Sequence, residues 1–343
     1  MITFILSLAA LVLGYIFYGR FVERVFGPDD RVTPAVAKAD GLDYIVMPGW
    51  KIFMIQFLNI AGTGPIFGAI MGAKFGSAAY LWIVFGCIFA GAVHDYLGGM
   101  LSMRHDGAGL PEMIGHYLGT ATKNVMLVVS VLLLILVGAV FVYSPALILH
   151  SIGGDTMMWV IIIFCYYFIA TMLPIDKIIG KVYPLFALSL LFMAGALMVW
   201  LIFHWPTLPE LWTHCYNMGA ATEPDRWTDS IFPVLFITVA CGAISGFHAT
   251  QSPLMARCVE NERMGRPLFF GAMITEGAVA LIWATVSIWF FYGEPTPGYE
   301  LIAGATDGFH TSAPAVVNLV CNDWLGVAAV SYTHLTLPTK RIV

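Results

Sequence analysis

Charge is what this chain has least of. Only 11% of its 343 residues are Asp, Glu, Lys or Arg, against roughly 25% in a soluble domain. Hydrophobic residues make up 59%, more than the interior of a soluble fold of this length can take up, so a bilayer is the expected solvent. The net charge is −5, which gives no positive surface for nucleic acid. The cysteines (Cys87, Cys165, Cys215, Cys241, Cys258, Cys321) are scattered. They have neither the CxxC spacing of a metal site nor the density of a disulfide framework, and read as packing residues. The chain has no GxSxG, HExxH or P-loop, and no GxGxxG in a strand–helix setting. No basic stretch precedes the apolar run Ile2 to Tyr18, no A-x-A pattern follows it, and Arg20 and Arg24 come after it. That is the pattern of a retained anchor helix rather than a cleaved signal peptide.

Long apolar runs are what the chain does have. A spanning helix needs about 20 such residues. Eight spans are expected: 2–19, 47–72, 77–101, 124–149, 157–173, 182–204, 231–255 and 268–292. Placing loop 20–46 in the cytoplasm puts Arg20, Arg24, Arg31, Lys38, Lys51, Arg104, Lys123, Lys177, Lys181, Arg257, Arg263 and Arg266 inside, and only Lys74 and Arg226 outside. This asymmetry predicts an outside N-terminus by the positive-inside rule. The span list gives one transporter-sized membrane domain over 1–330. Residues 331–343 (SYTHLTLPTKRIV) break the pattern and are expected to be a non-native, solvent-exposed tail.

Two spans carry their own interruptions. The second contains Asn59-Ile60-Ala61-Gly62-Thr63-Gly64-Pro65, and the seventh Gly242-Ala243-Ile244-Ser245-Gly246-Phe247-His248-Ala249-Thr250-Gln251-Ser252-Pro253. Proline removes a donor and clashes one turn back, and freed backbone at membrane depth is tolerated only against protein or a wet cavity. Ordinary kinks are the plain alternative. With helix 2–19 set aside, however, one break opens a set of five spans from the inside and the other opens the next set from the outside. Broken helices at matching places of inverted halves point to a midplane site. Asn59, Gly62, Thr63, Gly64, Ser245, Gly246, His248, Thr250 and Gln251 are therefore the candidate substrate- or ion-binding residues. The two breaks are expected to lie together, with non-helical backbone near 61–65 and 245–252.

Glu276 falls in the middle of the span 268–292. An intramembrane carboxylate is a functional candidate by default, here for proton coupling; a neutral, hydrogen-bonded Glu is the structural alternative. His94, Asp95, Arg104 and Asp106, at the cytoplasmic end of span 77–101, are candidate gate residues or a structural ion pair. The same stretch offers the one catalytic set a membrane enzyme could use, His94, Asp95, His105 and Asp106. The ridge Gly64-x3-Gly68-x3-Gly72 reads as a close-packing surface.

The stretches QFLNIAGTGPIFGAIMGAKFG (56–76), IFAGAVHDYLGGMLSMRHDGAGLPEMIG (88–115) and CGAISGFHATQSPLMARC (241–258) closely resemble the carbon starvation protein A (CstA) family, and the resemblance covers 1–330. It implies a bacterial inner-membrane secondary transporter linked to peptide uptake, with pyruvate-importing relatives, and no enzyme. It implies a proton or sodium ion as coupling ion and no other cofactor. The implied fold is an all-α, LeuT-like (APC-type) five-plus-five inverted repeat preceded by one extra helix. Here its second repeat is expected to be truncated, without the family's later helices or its SGDTAFR-type segment. The implied partners are a small peptide or pyruvate-like substrate and the lipid bilayer.

Overall fold

The structure, a computed structural model, describes residues 1–62, 64–150, 153–171, 175–213, 235–236, 239–244, 246–293 and 311–321. Among these, every regular element is helical. The long ones are α1 (Ile2–Phe26), α2 (Gly49–Ile60), α3 (Gly64–Ala73), α4 (Ala78–Arg104), α5 (Leu110–Leu118), α6 (Thr120–His150), α7 (Thr156–Thr171), α8 (Ile175–His204), α9 (His248–Ala256) and α10 (Glu262–Tyr292).

Helix α10 is the central pillar. Of its most apolar window 83% is buried within the protein, against 11% for α6, which places α6 at the periphery. α10 packs on α1, α2, α3, α4 and α8. Small residues make this possible, as is usual where helices cannot rely on water to drive them together. A Cβ on Gly277 would lie 2.6 Å from Cys87 Sγ, and one on Gly91 would lie 2.5 Å from the Ala243 carbonyl oxygen. Gly91 closes a π-helical turn in α4, Cys87–Gly91; such turns widen a helix locally and recur at functional sites.

Among the described residues, five helices are long and apolar enough to cross a membrane, and α2 with α3 makes a sixth if the bent pair is one span, beside the eight spans expected over the whole chain. Span 157–173 is realised as the shorter apolar helix Thr156–Ile169. Span 231–255 is divided: its described parts are 235–236, a single turn at Ala240–Ala243, and α9.

The first break sits where proline chemistry puts it. α2 ends at Ile60 because the Pro65 ring opposes the carbonyl four residues back. α3 begins at Gly64, and the pair is bent by 49°. In the second break the backbone leaves the helix at Ile244 and resumes at His248. Of the expected non-helical stretch 245–252, residues 248–252 are helical, and Pro253 lies inside α9. Thr63, Ser245 and the tail 331–343 lie outside the described residues.

Charged groups are sorted to the two ends of α1, whose 25 residues make it about 37 Å long at 1.5 Å per residue. At its start, the Met1 ammonium lies 2.5 Å from Glu210, which also accepts from the Thr3 amide at 2.7 Å. At the far end, buried Glu262 receives Arg104 at 3.0 and 3.1 Å and has Arg31 at 3.5 Å, with Arg263–Asp30 and Arg266–Glu23 pairs nearby. Residues 27–47 strap this end: Thr33 donates to the Val259 carbonyl, and the Met47 amide to that of Cys258. Every one of these contacts joins segments that the charge count puts on one side of the membrane.

Candidate functional site

Helix α9 carries the site, because one short helix serves two neighbouring features. His248, Gln251 and Ser252 all turn inward and are buried, as residues three or four apart share a face. Facing them are Gln56 of α2, Asp95 of α4 and Glu276 of α10.

His248 stands between two acids. Its Nδ1 is 2.9 Å from Asp95 Oδ1 and its Nε2 is 3.6 Å from Glu276 Oε2; all three side chains have no exposed surface. Gln56 Nε2 donates to both Asp95 oxygens, at 2.8 and 3.1 Å, and to Ser252 Oγ at 3.1 Å, and Ser252 Oγ donates to Asp95. The Asp95 carboxylate thus accepts from two side chains, Gln56 and Ser252, with His248 Nδ1 at ion-pair distance. Two carboxyls and an imidazole this close are charge-balanced only when protons are distributed among them, and each change of that distribution alters the field on the others. His94, on the exposed side of α4, is edge-on to His248 with ring centroids 6.2 Å apart.

One turn before this cluster, the two breaks meet at a cavity of about 240 Å³. Asn59, Gly62 and Gly64 line it from the first break, and Gly246 and Phe247 from the second. The rest of its wall comes from Ile60 and from Leu133, Leu136, Val137, Val140 and Phe141 of α6. The N-terminal ends of α3 and α9 both border it, and such ends present N–H groups with partial positive charge. Asn59 is nearly buried, and its Nδ2 has no partner among the described residues.

The candidates read from the sequence therefore fall into three groups. Asn59, Gly62, Gly64 and Gly246 line the cavity. His248, Asp95 and Glu276 form the buried cluster, with Gln251 beside them and its Nε2 unpartnered. Thr250 is turned aside; its hydroxyl donates to the Phe247 carbonyl in its own helical turn.

The expected gate set is divided by the structure. Asp95 belongs to the buried cluster with His248, whereas Arg104 pairs with Glu262. Asp106 lies at φ 59° in the turn after α4, a conformation Asp tolerates, and pairs with Lys38 at 3.2 Å. The catalytic set is divided in the same way. His105 bonds the Leu101 carbonyl and meets His116 and Tyr117 edge-on, roughly 15 Å along the chain axis of α4 from Asp95 at 1.5 Å per residue. Gln56 and Ser252 were not singled out from the sequence. Ser252 is four residues from His248, and Gln56 three from Asn59, so helical spacing from the chosen residues was the signal for both.

Comparison with known proteins bears on what such a site does. The family described as "Carbon starvation protein CstA" matches residues 1–151 and 142–323. An "Uncharacterized membrane protein" of Haemophilus influenzae is 43% identical over 339 residues, covering 85% of this chain and 91% of its own length. The "Peptide transporter CstA" of Campylobacter jejuni is 30% identical, over 79% of this chain and 47% of its own length. The "Pyruvate/proton symporter BtsT" of Escherichia coli is 28% identical, over 80% and 48%. The chain spans just under half the length of these two transporters. No solved structure matches.

Proposed function

The chain belongs to the carbon starvation protein CstA family, a membrane transporter family, and from that premise we propose that it takes part in proton-coupled import of a small carboxylated solute, a peptide or a pyruvate-like acid. The substrate carboxylate binds in the cavity between the breaks, at the N-terminal ends of α3 and α9. The coupling proton is carried by Asp95, His248 and Glu276. On this reading the protein sits in the bacterial inner membrane with loop 20–46 in the cytoplasm, and α2 and the helix broken at 244–247 are equivalent members of two inverted repeats.

The observation that carries the reading is the buried Asp95–His248–Glu276 cluster one helical turn from the cavity. A carboxyl at membrane depth is costly and is kept where an ion or proton is moved. Here His248 opens α9 directly after Gly246 and Phe247, which border the cavity, so a substrate that shifts the start of α9 also shifts His248 between its two acids. Arg104 and Arg31 converge on buried Glu262 at the end of the bundle that this reading places in the cytoplasm, and on the same reading opening toward the cytoplasm separates that cluster.

The test is uptake of labelled pyruvate and dialanine by the chain in proteoliposomes, under separately imposed pH and sodium gradients. Accumulation driven by the pH gradient, lost in Glu276→Gln while counterflow exchange persists, supports the reading. Accumulation driven by sodium alone, or undiminished in Glu276→Gln, overturns the assignment of the coupling group.

A further inference from the structure

The cavity wall says more about the solute than the family does. Of its described lining residues, Asn59 alone has a polar side chain; Ile60, Leu133, Leu136, Val137, Val140, Phe141 and Phe247 are apolar, and the remainder are glycines. Its polar capacity comes from the unpartnered Asn59 Nδ2 and the glycine backbone of both breaks. Most of its apolar wall comes from α6. Phe141 is the hinge of the two surfaces: its ring tip lies where a Cβ on Gly62 would be (2.8 Å), and its ring packs edge-on to Phe247 at 6.1 Å.

We infer that the site selects a monocarboxylate bearing an apolar tail, of the branched-chain 2-oxo acid type, over both a three-carbon acid and a zwitterionic peptide. The inference rests on the transporter reading above. Three arguments support it. A cavity of about 240 Å³ holds roughly eight water-sized volumes at about 30 Å³ each; a three-carbon acid leaves much of it empty, and unfilled apolar volume forfeits contact. A peptide ammonium needs an acidic partner, and no acidic side chain is among the described lining residues. Burying an unpaired charge is the strongest discrimination such a pocket can exert. Finally, each methylene moved from water onto Leu133, Val137, Val140 and Phe141 adds about 0.8 kcal/mol, which is about fourfold in affinity.

The experiment measures binding and transport separately on the same chain. Binding of labelled 4-methyl-2-oxopentanoate to the purified protein in detergent is competed with pyruvate, 2-oxobutanoate, dialanine and the methyl ester of the labelled acid. The expected result is a steady gain of about fourfold per methylene from pyruvate upward, with dialanine and the ester at least tenfold weaker than the acid. Phe141→Ala, which removes the largest apolar surface of the α6 wall, should flatten this ladder. Gel filtration of the variant confirms that it folds, and Val137→Ala, a smaller excision, should flatten the ladder less. A flat ladder, a dialanine that competes better than the branched acid, or no binding of any acid overturns the inference. Equal binding of the methyl ester also overturns it, by showing a crevice for lipid chains. If the ladder appears but no acid is taken up into proteoliposomes under a pH gradient, the transporter reading fails while the apolar site stands. If pH-driven uptake occurs with a flat ladder, the reverse holds.

Discussion

His248 lies between two acids, so its removal should reveal how strongly the three are coupled. Its Nε2 is 3.6 Å from Glu276 Oε2 and its Nδ1 is 2.9 Å from Asp95 Oδ1, with no solvent exposure to screen either contact. At an effective dielectric near 20, unit charges at 3.6 Å interact by about 4–5 kcal/mol. Desolvation of the same groups offsets much of that, so a net coupling of about 1–3 kcal/mol is expected. The measurement is a double-mutant cycle of His248→Ala, Glu276→Gln and the pair, by equilibrium unfolding in a denaturing detergent followed through tryptophan fluorescence. His248→Ala alone should be strongly destabilising, by about 3–5 kcal/mol, because it leaves two acids buried without their shared partner. Glu276→Gln should restore part of that loss when combined with it. If the two effects add to within about 0.5 kcal/mol, His248 and Glu276 are not coupled, and the cluster is not a proton-carrying unit.

Three further outcomes test the frame around the site. Glu262→Gln removes the buried anion shared by Arg104 and Arg31. Allowing for the exposure of Arg31, it should cost about 2–4 kcal/mol and open the 27–47 strap to proteases; an unchanged digestion pattern would refute the latch. Glu210 is partly buried, which pushes its pKa up. Hydrogen bonds from the Met1 ammonium, the Thr3 hydroxyl and the Thr3 and Ile2 amides outweigh this and hold it at about 2. A depressed carboxylate stabilises the fold above its unfolded pKa and loses that contribution as pH falls. The protection of the first turns of α1 against hydrogen exchange, taken relative to the intrinsic amide rate at each pH, should therefore fall between about pH 4.5 and 2, and should be lower already at neutral pH in Glu210→Gln. Gly91→Ala places a Cβ 2.5 Å from the Ala243 carbonyl oxygen; overpacking there should cost about 1–3 kcal/mol, and substrate competition should weaken as the second break is displaced. Wild-type affinity in that variant would show that the break tolerates movement.

The membrane class, the apolar first helix and the place of the first break were legible in the sequence because each has a local cause. Apolar length needs no tertiary context, and Pro65 acts on its own turn. Glu276 stood out because a lone carboxyl in an apolar run is conspicuous wherever it points. The partner assignments were not legible. Asp95 and Arg104 lie nine residues apart on one helix and suggested a local pair, but nine residues is two and a half turns, so they face different neighbours. Asp95 finds His248, distant in sequence, and Arg104 finds Glu262. The extent of the second break was overread for a related reason. Ser252 and Pro253 looked like helix breakers, yet Pro253 lies inside α9, where its missing N–H removes one internal bond without ending the helix, and Ser252 donates its hydroxyl to Asp95 rather than to its own backbone.

The arrangement of α9 gives a physical reason for coupling between the cavity and the cluster. A helix of nine residues has few internal bonds to hold it in place, and its position is set mainly by what it packs against. Its inward face is fixed by polar contacts to α2 and α4, through Gln56–Ser252 and Ser252–Asp95. Its start is bordered by the cavity through Gly246 and Phe247. α10, by contrast, is buried along most of its length and carries Glu276 on a rigid support. Movement of α9 relative to α10 therefore changes the His248–Glu276 separation, now 3.6 Å, more readily than it changes the Asp95–His248 contact at 2.9 Å, which is braced by Gln56 and Ser252. On the proposed reading this makes Glu276 the group that gains and loses its partner during the cycle and Asp95 the one that keeps it. Asp95→Asn should accordingly impair folding and binding together, whereas Glu276→Gln should leave binding in place and abolish accumulation against a gradient. A pair of variants with the opposite pattern would exchange the two roles.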